Sequence, residues 1–138
     1  MKNHKKIQVV VGAVIQKKNK YLLTKRAEWE GEDKKFRNNP WQFPGGGLEF
    51  GESTIEGMRR EIKEEVGVEV KIIKLLPKIY HEVRNYWHGV FICYLCELVN
   101  NKQQIILNEE ASEYGWFTFE EIKKLPCLPK TQELAELL

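Results

Sequence analysis

The sequence of 138 residues lacks a large excess of charge of either sign. Its 22 Lys and Arg residues against 20 Asp and Glu residues give a formal net charge of +2, whereas dedicated nucleic-acid-binding domains usually carry a clear basic excess. We therefore expect no nucleic-acid polymer as a partner. Long apolar runs are also missing. Residues 9–15, which follow the basic N-terminus, are too few to span a membrane, and their lysine-rich flanks are unlike those of a signal peptide.

Cysteine is scarce, with three residues that do not outline a disulfide framework, so we expect a reducing cytoplasmic location. Cys93 and Cys96 form a C-x-x-C pair, for which a metal or redox site is the alternative to two buried thiols. They fall in the apolar, strand-like residues 89–98, where residues three apart point to opposite faces of a strand. This favours two buried thiols. The length and the 42% hydrophobic content predict one globular domain over residues 1–138.

The first half of the chain has the pattern of a β-hairpin followed by a long loop. Residues 8–15 and 21–24 are rich in Val, Ile and Leu and are separated by a polar turn, which is typical of two paired strands. Residues 27–40 are mostly polar, and a loop of this length is often functional. A short strand is predicted at residues 41–43, and the chain is expected to turn at the glycine-rich residues 44–47.

A helix over residues 54–66 is the strongest local prediction. Ser53 and Glu56 have the spacing of a capping box, and Gly67 supplies the stop signal. The apolar residues recur at the helical spacing of three and four: Ile55, Met58, Ile62 and Val66.

Strands dominate the second half of the predicted structure. Four are expected, in a mixed or antiparallel sheet: residues 69–83, 86–99, 104–107 and 115–118. Thr118 and Glu121 form a second capping box that opens a helix through about Leu125, and a short amphipathic helix is predicted at residues 130–138.

Three glutamates on the first helix share one side. At the α-helical repeat, Glu61 and Glu65 lie about 40° apart, and Glu64 lies about 60° to the other side of Glu61. Such a stripe of like charges suits either full solvation, with ion pairs to Arg60, or a hard cation such as Mg²⁺ or Mn²⁺. The glycine-rich turn just before the helix favours the metal, because it permits close backbone approach to a ligand.

Nine residues fill every fixed position of the pattern G-x5-E-x7-R-E-U-x-E-E-x-G-U, where U is aliphatic: Gly46, Glu52, Arg60, Glu61, Ile62, Glu64, Glu65, Gly67 and Val68. This segment resembles the Nudix box. The flanking residues 12–14, 41–47 and 116–117 are also similar to the layout of that family. The resemblance implies an α/β/α sandwich with a central mixed β-sheet, in which the box forms a loop-helix-loop.

The resemblance also implies roles for individual residues. Glu61 and Glu65 are expected to bind the metal directly, Glu64 to bind it directly or through a water molecule, and the Gly46 carbonyl oxygen to contribute. Mg²⁺ is the expected ion, with Mn²⁺ as the alternative. The catalytic set predicted by the resemblance is Glu61, Glu64, Arg60 and Glu113. In this set Arg60 orients the acids together with Glu52, and the general base is Glu61 or an acid in a later loop, with Glu113 the first candidate there and Glu110 the second.

The implied reaction is Mg²⁺-dependent hydrolysis of a phosphoanhydride bond in a nucleoside diphosphate linked to another group. A nucleoside triphosphate, cut to monophosphate and pyrophosphate, is the first substrate choice. The alternatives are ADP-ribose, a nucleotide sugar, a dinucleoside polyphosphate, or a nucleotide-sensing module without turnover. The partner is thus a small nucleotide, and a homodimer stays open. Five aromatic residues are candidates for stacking on a base, with none preferred: Trp29, Phe36, Tyr80, Tyr86 and Trp87.

Overall fold

The computed structural model describes residues 4–138, so residues 1–3, which begin both the basic N-terminus and the predicted 1–138 domain, lie outside it. The elements in chain order are β1 (Lys6–Lys17), β2 (Lys20–Arg26), a 3-10 helix (Gly31–Phe36), β3 (Trp41–Gln42), β4 (Gly45–Gly47), α1 (Thr54–Val66), β5 (Val70–Leu75), β6 (Tyr80–Arg84), β7 (Trp87–Leu98), β8 (Ala111–Phe117), α2 (Phe119–Lys124) and α3 (Thr131–Ala135). The predicted first hairpin and the predicted helix over residues 54–66 are confirmed.

The sheet is built around one parallel pair of strands. β1 and β7 run side by side from Lys6 opposite Trp87 to Gln16 opposite Glu97. The other pairings are antiparallel: β2 and β4 pair with β1, β5 and β6 pair with β7, and β3 and β8 pair with β2. The sheet is therefore mixed, as expected.

Both faces of the sheet are covered, because the apolar side chains of β1 alternate between two cores. One core packs Val11, Ala13 and Ile15 against α1, and the other packs Val14 with residues of α2 and α3. This layering confirms the α/β/α arrangement. Cys96 belongs to the first core and Cys93 to the second, and burial raises the pKa of both thiols to about 12. The interpretation as two buried thiols holds.

Several predicted boundaries are wrong. The glycine stretch does not simply turn, because β4 (Gly45–Gly47) hydrogen-bonds to β1. Residues 69–83 form two strands, β5 and β6, separated by a break that contains Pro77, which has no N–H to donate to a sheet. Residues 104–107 form no strand, and β8 begins at Ala111 rather than at residue 115.

The long loop at residues 27–40 includes a 3-10 helix, and the last helix ends at Ala135. In the part of the chain that the structure describes, no helix combines the length and the apolar character needed to cross a bilayer.

Candidate active site

Helix α1 places two of its glutamates in the protein interior. Ser53 accepts a hydrogen bond from the Glu56 N–H while Glu56 accepts one from the Ser53 N–H, and this reciprocal cap sets where the first turn begins. The face turned to the sheet then carries Glu61 and Glu65, which are 8% and 3% exposed. Glu64 faces outward, with a side chain that is 52% exposed. The predicted acidic stripe thus straddles the edge of the core.

The Glu65 carboxyl group is buried and is held by two hydrogen bonds. Its Oε2 accepts from the Thr24 hydroxyl at 3.1 Å, and its Oε1 accepts from the Gly45 N–H at 3.1 Å. Burial raises the pKa of Glu65 to about 7, although these two hydrogen bonds act in the opposite direction. Glu65 therefore changes its charge within the physiological pH range when no cation accompanies it.

Glu61 lies directly against the glycine strand β4. A Cβ atom at position 46 would collide with the Glu61 carboxylate, so this close approach requires glycine there. Burial raises the pKa of Glu61, while its contact with Arg60 partly offsets the effect of burial. The arrangement brings the Glu61 carboxylate to the Gly46 backbone, which are two of the predicted metal-binding groups.

Arg60 joins the acids of the box to one another. Its Nε donates to Glu52 at 2.6 Å, and its Nη1 donates to Glu61 at 3.1 Å and to Glu64 at 3.2 Å. Its Nη2 reaches the Gly47 carbonyl oxygen at 3.0 Å. The hydrogen bonds from Arg60 lower the pKa of Glu52, with help from the Glu49 N–H. The predicted bridge from Glu52 to Glu64 is present, and it ties helix α1 to strand β4.

The donor atoms of this site fit a hard divalent cation. They are carboxylate oxygens and a neighbouring backbone, and Mg²⁺ takes one or two protein carboxylates and completes its shell with water and phosphate oxygens. Burial of Glu61 and Glu65 makes their negative charge costly, which a bound cation would offset. Among residues 4–138, no three His, Cys, Asp or Glu side chains form a ready-made metal cluster.

A cleft with a volume of about 370 Å³ opens beside Glu65. Its walls come from the N-terminal halves of β1 and β7, from β4, from single residues of β2, β3, β6 and α1, and from the segments after β2 and before β8. The lining residues include Gln8, Arg26, Gln42, Gly46, Glu65, Arg84, Trp87 and Glu110. Arg26, Arg84 and Gln8 were not among the predicted site residues. They lie far apart in the sequence, and only the pairing of the strands brings them together.

Asp33 connects the long loop to two arginines that line the cleft. Its carboxylate accepts from Arg26 and from Arg84, each at 3.2 Å. The Arg84 guanidinium also lies 4.8 Å from the centre of the Phe36 ring and 5.1 Å from the centre of the Trp87 indole. Of the five aromatic candidates, only Trp87 lines the cleft that contains Glu65.

Glu113 does not lie in a loop, so this part of the prediction is wrong. It is a residue of β8, opposite Lys25 in β2, and its carboxylate lies 3.6 Å from the Lys25 ammonium. The preceding residue, Thr24, points toward Glu65, and side chains alternate along a strand, so Lys25 and Glu113 occupy the other face. Glu110, in contrast, lines the cleft, and its charge adds to the rise in the pKa of Glu61 and of Glu65.

A mixed sheet between helices, with a capped acidic helix against a glycine strand, has the layout that the resemblance to the Nudix box implies. Comparison with known proteins agrees, since residues 6–138 match the model of the NUDIX domain. The chain is 30% identical over 126 residues to nucleoside triphosphatase NudI from Enterobacter sp. (strain 638), covering 86% of each chain.

Solved structures are similar too. One is the MutT NUDIX hydrolase from Burkholderia pseudomallei, at 24% identity and TM-score 0.81 over 97% of this chain and 99% of that one. Another is the MutT protein from Methanosarcina mazei Go1, at 26% identity and TM-score 0.77 over 96% and 92%. The chain belongs to the Nudix family. It hydrolyses phosphoanhydride bonds in nucleotides, and members of this family generally use divalent metal cations.

Proposed function

We propose that the chain is a Mg²⁺-dependent nucleoside triphosphate pyrophosphohydrolase, which releases a nucleoside monophosphate and pyrophosphate. The observation that carries the proposal is the pair of buried carboxylates, Glu61 and Glu65, against β4, of which Glu65 lines a nucleotide-sized cleft. The name of the relative from Enterobacter, a nucleoside triphosphatase, supports this substrate class. The proposal also treats residues 1–138 as one domain that acts in the cytoplasm on a small-molecule substrate.

The residues that would hold Mg²⁺ are Glu61, Glu65, Glu64 and the Gly46 carbonyl oxygen. When bound, the ion supplies charge neutralisation on the phosphates and activation of the attacking water. Mn²⁺, which prefers the same oxygen ligands, is the expected substitute. Arg60 acts as a positioning residue, because its hydrogen bonds fix the orientation of Glu61 and Glu64 relative to β4.

The proposal assigns the general base to Glu110 in place of Glu113, with Glu61 as the alternative within the box. A base must reach the attacking water once the substrate is bound. Glu110 is exposed and borders the same cleft as Glu65. Its carboxylate is held by the Asn108 amide at 3.1 Å, and its carbonyl oxygen accepts from the Ala27 N–H at 3.0 Å. Glu110 is thus anchored but still open to water.

A panel of substrates with chromatographic separation of the products tests the proposal. Nucleoside triphosphates, ADP-ribose, nucleotide sugars and dinucleoside polyphosphates are incubated with Mg²⁺ and the protein, and Glu61→Gln serves as the inactive control. We expect nucleoside triphosphates to give the highest kcat/KM, with pyrophosphate as a product. Faster turnover of another class would overturn the substrate assignment. Tight nucleotide binding without any turnover would instead favour a sensing module.

A further inference from the structure

Gln8 presents a side-chain amide to the cleft in one fixed orientation. It lies half-buried on β1, next to Gly89 of β7 in the parallel register. The Trp87 indole Nε1–H donates a hydrogen bond to Gln8 Oε1 at 2.9 Å. An indole nitrogen can only donate, so the carbonyl side of the amide must face Trp87. The amide NH₂ group is therefore turned away from the indole.

The Trp87 ring that sets this orientation is itself held in place. It lies over Gly89, where a Cβ atom would collide with the ring. The Arg84 guanidinium lies 5.1 Å from the ring centre, and Phe91 lies edge-on at 6.2 Å. Because the indole is packed on these sides, its N–H direction is set by the sheet. The Gln8 amide is consequently not free to flip between its two orientations.

The Gln8 NH₂ group lies beside Gly47 of β4, at the edge of the cleft. Among the described residues, Nε2 has no hydrogen-bond acceptor, whereas every fully buried side-chain nitrogen or oxygen atom has a partner. The donor is therefore in reach of solvent or a ligand. The neighbouring cleft walls are Val10, Phe91 and Trp87, which are apolar or aromatic and suit the flat face of a nucleobase.

We propose that Gln8 is a specificity-determining residue that donates a hydrogen bond to a keto oxygen of the nucleobase, with Trp87 as the positioning residue that fixes the donor. The inference rests on the proposed function, since it requires a nucleotide in this cleft. A base with an amino group at the same position would bring two donors together and leave both unpaired, which is strongly disfavoured in a binding site. The cleft should thus prefer keto bases to amino bases.

Matched substrate pairs test this preference, because UTP and CTP, like ITP and ATP, carry a keto and an amino group at equivalent positions. For the wild-type protein we expect kcat/KM to be about tenfold higher for the keto member, the scale of one hydrogen bond and one avoided unpaired donor. Trp87→Phe keeps an aromatic ring but removes the N–H, so this ratio should fall about three- to tenfold. Gln8→Glu replaces the donor with an acceptor and should reverse the preference.

Gln16→Glu is the matched control. It makes the same chemical change on the same strand, in another half-buried residue that does not line the cleft. We expect it to leave the keto-to-amino ratio unchanged. An equal shift in Gln16→Glu would show that added charge alone alters the ratio, and it would overturn the role of Gln8.

Two further results would overturn the inference. One is a ratio that neither Trp87→Phe nor Gln8→Glu changes. The other is a loss of kcat/KM in Gln8→Glu that is equal for all four nucleotides and for inorganic tripolyphosphate. This result would mean that Gln8 contacts a phosphate oxygen. Calorimetric titration with UMP and CMP measures the same preference without turnover. Absence of hydrolysis in the wild-type protein would therefore count against the proposed function alone.

Discussion

Replacing Glu65 with glutamine should stabilise the metal-free protein at neutral pH while it removes activity. The pKa of Glu65 rises from 4.5 to about 7 on folding, chiefly because of burial. A raised pKa favours the protonated acid in the folded state, so the contribution to stability is fully present below about pH 4.5 and is lost as the pH rises through 7. The gap between the two values corresponds to about 3 kcal/mol.

The measurement is urea unfolding in EDTA between pH 5 and pH 8.5. From pH 5 to 8, the free energy of unfolding of the wild-type protein should fall by about 2 kcal/mol more than that of Glu65→Gln. In the wild type, the Gly45 N–H and the Thr24 hydroxyl both donate to the carboxylate oxygens. The glutamine amide can still accept from the Gly45 N–H and can donate to the Thr24 hydroxyl. Its site is therefore expected to stay packed.

Glu64→Gln is the matched control, because the same substitution is made one residue earlier on an exposed side chain. It should keep the wild-type dependence on pH. Mg²⁺ should restore much of the lost stability to the wild type at pH 8 and little to Glu65→Gln. If unfolding free energies of Glu65→Gln and the wild type run parallel from pH 5 to 8.5, burial of this carboxylate does not control the stability of the site.

Three further predictions concern activity. EDTA should abolish hydrolysis and Mg²⁺ should restore it, and full turnover in chelator would refute the role of the acids as metal ligands. Glu61→Gln and Glu65→Gln should each lower kcat by roughly 10² to 10⁴-fold, whereas Glu56→Gln, which preserves the capping box, should not; equal damage from all three would contradict these assignments. Glu110→Gln should lower kcat at least about tenfold with little change in Mg²⁺ affinity, and Glu113→Gln should stay within about twofold of wild type; the reverse result would return the base to Glu113.

The sequence predicts α1 and its acids well because the signals are local. Ser53, Glu56 and Gly67 mark both ends of the helix, and these caps together with the apolar spacing set which residues face the sheet. The phase of the helix then determines that Glu61 and Glu65 share the inner side. The caps and the apolar spacing are local, so they predict the helix without information on its tertiary contacts. Arg60 and the sheet then complete the site.

The parts that sequence reasoning missed depend on pairing between distant segments. β4 is a run of glycines with little strand propensity, and it is a strand only because β1 supplies its hydrogen bonds. Residues 111–114 lack apolar alternation, so the sequence predicts a loop for the first half of β8 and places Glu113 in that loop. Gln8 and Trp87 meet through the parallel β1 and β7 register, which no local pattern encodes.

The parallel pairing of β1 with β7 also bears on how the molecule folds. Val10 of β1 pairs with Phe91 of β7, so this pairing closes a loop that contains more than half of the chain. Loop-closure entropy makes such non-local pairing slow relative to local helix formation. During synthesis, α1 emerges well before β7, and its apolar face has an incomplete sheet to cover it until the second central strand arrives. We therefore expect the β1 and β7 pairing to set the rate of refolding. The acidic helix should become buried only at that late step.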